Sequence, residues 1–303
     1  MTFRGKEQPM MDRLCRGTFP SRGLRAVFVR VGDTARMARM LHGLHPTSAR
    51  LFAEALAAGA LLGALQKQKG RVNLQLLCDG PLGGLFVDAD PDGNVRGYVQ
   101  RPAVNFPGDP TRGARAALGG SGTLSVLRDL GGGQHYRSAV QLEALDLAGD
   151  LRRWFEASEQ VATALELSVA PAGDESLGEV VGLLVQRLPD GDLAAVEEAR
   201  RRIADGAVHR AVAAGLGAQE VIHAVAGDGF DLLADVEVAY RCGCSVERAR
   251  VAVSALGADG VADVLAKERE AVITCEFCRT RFVVTEPELR DIRRRLLERQ
   301  QTN

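Results

Sequence analysis

The chain is short of net charge, of long apolar runs and of phosphate-loop signatures, and each shortage removes a class of function. Lys and Arg total 38 against 39 Asp and Glu, a formal net charge of -1 over 303 residues. So even a balance gives no global argument for nucleic acid or for an anionic membrane surface. A membrane-spanning helix needs about 20 consecutive apolar residues. The longest uncharged apolar stretch, 55–66, is bounded by Glu54 and Lys67 and reads as a core helix. The first residues, MTFRGKEQPMMDRLCRG, contain no apolar h-region, so no secretory signal and a cytoplasmic location are expected. No Gly-Lys-Ser/Thr follows any glycine cluster, which argues against a Walker-type phosphate loop and leaves those glycines as hairpin turns.

What is present is an ordinary soluble composition, 46% apolar and 25% charged, with enough apolar residues for a sizeable core. The length suggests two domains and a connecting segment. The predicted fold class is α+β. An N-terminal mixed α/β core domain spans 1–189, a metastable helical linker 190–235 and a small C-terminal four-cysteine zinc domain 236–303. Residues 24–31 are rich in β-branched side chains and read as a strand. Asp33 and Thr34 offer an N-cap for a helix over 36–44, which His45-Pro46 ends. Thr47 and Ser48 can cap a long helix over 51–66, whose Ala and Gly content predicts tight packing on a sheet. Strands at 72–76, 85–87, 95–99, 123–128 and 136–142, separated by glycine-rich turns, predict an antiparallel meander. A helix over 150–160 and closing strands over 165–169 and 179–187 complete the domain. Pro189-Asp190-Gly191 marks its end. Helices over 193–204, 208–214 and 218–225 follow, and Gly206, Gly215, Gly217, Gly227 and Gly229 lower their stability.

Four of the six cysteines fall in two close pairs, Cys242-Gly243-Cys244 and Cys275-Glu276-Phe277-Cys278, separated by residues 245–274. In a reducing compartment such pairs read as metal ligands or redox groups. Zinc favours four thiolates in a tetrahedron with Zn–S near ~2.3 Å, and two close pairs supply two edges of it. One zinc per chain is expected. Between the pairs, Ser245 starts a helix over 246–256 with Glu247 near its N-terminus, and a second helix covers 261–266. Strands over 272–274 and 282–285 flank a knuckle at the second pair. So small a module has little core and leans on its metal, which in such modules is worth roughly 10–16 kcal/mol. A purely structural site is the plainer reading of the spacing. A thiol switch is the sharper one, because zinc keeps the sulfurs as nucleophilic thiolates and each pair is close enough to join as a disulfide. A Cys-x-Cys disulfide is strained and easily reduced, which suits reversibility.

On these residues the chain resembles the 33-kDa redox-regulated heat-shock chaperones. Cys-Gly-Cys-Ser245 with Glu247-Arg248 is similar to that family's first knuckle, and Cys275-Glu276-Phe277-Cys278 to its second. The segment 154–160 (WFEASEQ) resembles its helix ending in Ser-Glu-Gln, 183–186 (LLVQ) its closing strand, and 79–82 (DGPL) an early turn. Arg279-Thr280-Arg281 departs from it, since the family commonly carries glycine there and tyrosine soon after. The resemblance implies an ATP-independent holdase and not an enzyme. Reduced and zinc-bound, it would be compact and inactive. Oxidation would join Cys242 with Cys244 and Cys275 with Cys278 and release zinc. The C-terminal module and linker would then unfold, and a homodimer would bind unfolding client proteins. Val208, Val212, Val221, Ile222 and Val225 of the linker are candidate client contacts once undocked.

Two readings compete. A zinc-ribbon nucleic-acid-binding protein would use Arg279, Arg281 and the basic helix 290–299, but the even charge balance and the few aromatics of the module oppose it. A thiol oxidoreductase would use Cys275 and Cys278 catalytically, but no thioredoxin-like βαβ context surrounds them. No nucleic acid, membrane or ATP partner is therefore expected. Cys15 and Cys78 are expected to have no role, Cys78 as a small buried apolar residue. His42, His45, His135, His209 and His223 show no metal spacing with the cysteines.

Overall fold

The structure, a computed structural model, describes residues 11–66, 70–171 and 177–302. Two units are resolved by their internal packing, Met1–Arg241 and Cys242–Asn303. In chain order the first contains β1 (Arg13–Phe19), β2 (Leu24–Arg30), α1 (Gly32–His42), α2 (Pro46–Ala64), β3 (Arg71–Cys78), β4 (Gly84–Ala89) and β5 (Asn94–Val99). Then come α3 (Pro110–Leu118), β6 (Gly122–Gly131), β7 (Gln134–Gln141) and α4 (Leu147–Trp154), which runs into a π-helical turn (Phe155–Glu159). It closes with β8 (Thr163–Pro171), β9 (Leu177–Arg187), α5 (Leu193–Ala204), α6 (Ala207–Ala213), α7 (Ala218–Ala226), β10 (Asp231–Glu237) and β11 (Ala239–Tyr240).

The strands make two sheets. One has the order β10-β1-β2-β9-β8 and is antiparallel throughout; the other has the order β11-β5-β4-β3-β6-β7. The second is the expected meander, with β11 added in parallel at its edge. Helix α2 packs against strands of both sheets, and all of it but Pro46, Arg50 and Glu54 is buried. A helix apolar all round must be covered on every side, and small residues let the covering backbones come close. A Cβ on Gly59 would stand 2.4 Å from Val87 of β4, and one on Gly182 of β9 would stand 2.9 Å from Leu61. The other face of the five-stranded sheet is covered by α5, α6 and α7. There Val196, Val208, Val221, Ile222 and Val225 join Phe19, Leu24, Phe28 and Leu183 in a second core. Sheet faces alternate accordingly: in β2, Leu24, Ala26 and Phe28 face this core, while Val27 and Val29 face α2's core.

Several elements differ from the sequence expectation. Helix α1 begins at Gly32, not Arg36, because its cap comes from elsewhere: the Asp12 carboxylate accepts from the N–H groups of Asp33 (3.1 Å) and Thr34 (2.6 Å). Helix α2 begins at Pro46, the residue expected to break the preceding helix, since proline fits a first helical position. Ser48 and Thr47 then lie in its first turn, and Thr47 Oγ1 accepts from the Phe106 N–H at 2.8 Å instead of capping. Strands β1 and β10 and helix α3 were not expected. β10 starts inside 190–235, a stretch read as helical, and runs two residues past it.

The second unit comprises α8 (Val246–Ser254), α9 (Gly257–Lys267), the antiparallel hairpin β12 (Ala271–Thr274) and β13 (Arg281–Val284), and α10 (Glu286–Thr302). Its buried apolar cluster is Val253, Val261, Val284, Leu289 and Ile292, with Ala249 and Ala258 also buried, far smaller than either core of the first unit. Among the described residues no helix is long and apolar enough to cross a membrane.

The close approach at α2 is testable. Gly59→Ala is expected to destabilise the first unit by roughly 1–3 kcal/mol through overpacking against Val87. Gly120→Ala, where a Cβ would meet nothing within 4 Å, is expected to be nearly neutral. Urea unfolding of the two variants measures the difference.

Candidate metal centre

The four predicted ligands are brought together. Cys242 and Cys244 lie on the irregular segment that leads from β11 into α8, and Cys275 and Cys278 lie in the turn between β12 and β13. Two backbone hydrogen bonds build that turn: Cys275 N–H to the Thr280 carbonyl (2.9 Å) and Arg279 N–H to the Cys275 carbonyl (2.8 Å). Arg279 closes it with φ of +56°, the left-handed region that glycine enters freely. Ser245 caps α8 by accepting from the Arg248 N–H, which fixes the direction in which the chain leaves Cys244.

The four Sγ atoms all lie within 4.8 Å of one another. The Cys242–Cys275 separation is 3.7 Å and the Cys244–Cys278 separation 3.2 Å. In a tetrahedral four-thiolate zinc site with Zn–S near ~2.3 Å, the sulfurs stand about 3.8 Å apart. The donor set therefore fits a soft divalent ion, and the cluster is sized for one. Proximity does not by itself select which sulfurs would pair on oxidation, since the 3.2 and 3.7 Å neighbours belong to different knuckles.

Electrostatics point the same way. Burial works against ionisation of Cys278, but the hydroxyl and N–H of Thr280 and the neighbouring thiols outweigh it and hold Cys278 down at about 6. Cys244 is pushed upward by burial and by its sulfur neighbours, and Cys275 upward by burial. Four sulfurs this close cannot all ionise against one another; a cation is what lets them.

The supporting shell includes residues the sequence reading passed over. Thr280 Oγ1 lies 3.2 Å from Cys278 Sγ. Glu288 accepts from the N–H (2.7 Å) and hydroxyl (2.9 Å) of Thr285 and from Arg250 of α8, and these bonds hold its carboxyl down at about 2. It ties α10 to α8 over the small core. The spacing Thr285-x-x-Glu288 is a capping-box signature and was legible as one. Cys15 and Cys78 are not part of the cluster. Cys15 is buried in β1 and pushed up to about 11 by burial and Asp235; Cys78, expected to be buried, is only partly so at the end of β3, and burial raises it as well. The histidines stand elsewhere: His42 is buried in α1, and His45 precedes α2. The four cysteines are the one such ligand group among the described residues.

Comparison with known proteins agrees with this geometry. The family described as "Hsp33 protein" matches residues 12–285. The chain belongs to the Hsp33 family. Among its relatives, a Cyanothece sp. protein named 33 kDa chaperonin is 37% identical over 281 residues, covering 89% of this chain and 92% of its own. The Synechococcus elongatus 33 kDa chaperonin is 36% identical, covering 93% and 97%. The crystal structure of the Thermotoga maritima 33 kDa chaperonin superposes with a TM-score of 0.84 at 26% identity, covering 95% of this chain and 100% of that one. Hsp33 is a chaperone family, and the match spans both units described above.

The left-handed Arg279 carries a prediction. Its conformation costs roughly 1–2 kcal/mol, while its exposed ion pair with Glu276 (2.9 Å) returns at most about 1 kcal/mol. Arg279→Gly is expected to leave metal binding intact and to stabilise the second unit by up to ~1 kcal/mol. Titration with a competing chelator reads this as slower metal loss; faster loss would contradict it.

Proposed function

We propose that this chain is a redox-regulated, ATP-independent holdase chaperone whose four cysteines form both its zinc site and its switch. The convergence of four Sγ atoms in a unit whose contiguous buried apolar cluster is only five residues carries the reading. Such a unit depends on its metal to stay folded. Oxidation takes the ligands away. Each disulfide, Cys242 with Cys244 and Cys275 with Cys278, delivers two electrons to one peroxide, which leaves as water. Sulfur in a disulfide no longer holds zinc as thiolate does, and the unit loses its main support.

The apolar surface for clients is supplied by residues 190–235. Val208, Val221, Ile222 and Val225 are buried, and Val212 half-buried, against the five-stranded sheet. The helices that carry them are short: α6 has 7 residues and α7 has 9. Helices of that length are marginal without tertiary packing. Their release would bare both their own apolar faces and the sheet's, and a dimer would double the exposed surface. The cytoplasm is the compartment in which reduced thiols and a reversible switch make sense.

A nucleic-acid role finds no support in the terminal helix. Arg290 pairs with Glu286, and Arg294 and Arg295 pair with Asp291 on the same helix. These pairs partly neutralise the helix's arginines, which weakens the case for a basic stripe.

The test measures zinc content, free thiols and protection of an unfolding client together, before and after peroxide at mild heat. The expected result is loss of one zinc per chain, loss of four thiols, and suppression of client aggregation without ATP, all reversed by reductant. Zinc retained, or zinc lost with no gain in protection, would show a structural site.

A further inference from the structure

Residues 231–241 form a strap that serves both sheets of the first unit. Its first half, β10, pairs antiparallel with β1, from Thr18 opposite Asp231 to Arg13 opposite Glu237. Its second half, β11, pairs parallel with β5. In between, the N–H of Val238 donates to the Asp12 carbonyl (3.0 Å), that of Ala239 to Gly93 (3.1 Å) and that of Arg241 to Val95 (3.0 Å). Val238 is buried, and Val236 and Tyr240 pack on the main core.

The strap is seated with care at both ends. The Tyr240 hydroxyl donates to the Gly97 carbonyl at 2.6 Å, accepts from the Gly97 N–H at 3.2 Å, and lies 3.0 Å from His42 Nε2. Arg13 holds Asp235 at 2.7 Å. Two glycines make room for its backbone. A Cβ on Gly17 would stand 2.2 Å from the Asp231 carbonyl oxygen, and one on Gly93 would stand 2.2 Å from that of Glu237. The strap ends at Arg241, covalently next to Cys242, where the first unit stops. Disorder that begins at Cys242 therefore frays it from its C-terminal end.

We propose that the strap is the resting occupant of two client-binding edges. Once it leaves, the backbone groups of β1 and β5 that it had satisfied are unpaired, and an unpaired strand edge is a template for an extended chain. The strap itself shows what the edges accept. Val236, Val238 and Tyr240 recur at every second position, the period of a strand, with Glu237 and Ala239 between them and Asp235 just before. The occupant is thus an extended client segment with alternating β-branched or aromatic residues and an acidic residue for Arg13, bound by strand addition. The proposal rests on the holdase reading above and names how that activity recognises its client.

The test uses the full-length protein, reduced and oxidised, and a labelled synthetic peptide of residues 231–241. A peptide of the same composition with the alternation scrambled is the control. The strap peptide is expected to bind the oxidised protein, not the reduced one, and to be displaced by an unfolding client; the scrambled peptide is expected to do neither. Hydrogen exchange at the amides of Val238, Ala239 and Arg241 is expected to rise on oxidation. Tyr240→Phe keeps the ring and loses the hydroxyl's bonds. It is expected to raise exchange at those amides several-fold in the reduced protein, with zinc content unchanged. Oxidised protein that protects clients while the strap stays exchange-protected and the peptide fails to compete would overturn strand addition alone. Oxidised protein with no client protection at all would overturn it together with the holdase reading.

Discussion

Four sulfurs within 4.8 Å of one another set the terms for the rest of the second unit. A cluster of thiols needs a cation before all of them can ionise, and thiolates held by a cation can tie together segments that share little apolar contact. Here the segments are the turn between β12 and β13 and the irregular stretch before α8. Around them lies a core of Val253, Val261, Val284, Leu289 and Ile292. A structural zinc is worth roughly 10–16 kcal/mol in small modules, as much as the whole net stability of an ordinary domain. Under the proposed function, the unit's fold would depend on the oxidation state of these ligands, as the first unit's would not.

The first unit has the opposite character. Helix α2 is covered by both sheets, and the sheets reach it where Gly59, Gly63 and Gly182 allow close approach. Packing of that kind is stable without a ligand. At its periphery lie shorter elements. The short helices α6 and α7 and the strap 231–241 are held by edges and faces of sheets that would persist without them. A scaffold whose main core does not use these segments, covered by short elements at its periphery, would expose binding surface on demand if the proposed switch releases them.

The sequence made the chemistry more legible than the fold's closure. Cys242, Cys244, Cys275 and Cys278 carried the site, because ligand spacing is a local signal. The strands of the meander and the helices 193–204 and 218–225 were legible for the same reason, through alternation and helical period. What escaped was fixed by distant partners. β10 reads DLLADVE, acidic and without a β-branched run; it is a strand because β1 offers an open edge. β1 itself contains Arg13, Arg16 and Gly17, and Gly17 is there because the strap's backbone passes over it. Helix α1 starts early because Asp12, from outside the helix, caps it. Thr280 and Tyr240 gained their roles only once a turn and a strand pairing had put them beside Cys278 and Gly97.

The dependence of the second unit on thiolate ligation can be measured without any client. Zinc is stripped by a strong chelator while the cysteines are kept reduced, and hydrogen exchange is followed along the whole chain. The expected result is loss of protection across α8, α9, the β12–β13 hairpin and α10, with α2 and the strands around it unchanged, and recovery when zinc is restored. Protection of α8 and α10 that survives removal of the metal would contradict the account, because the small core would then be holding the unit by itself.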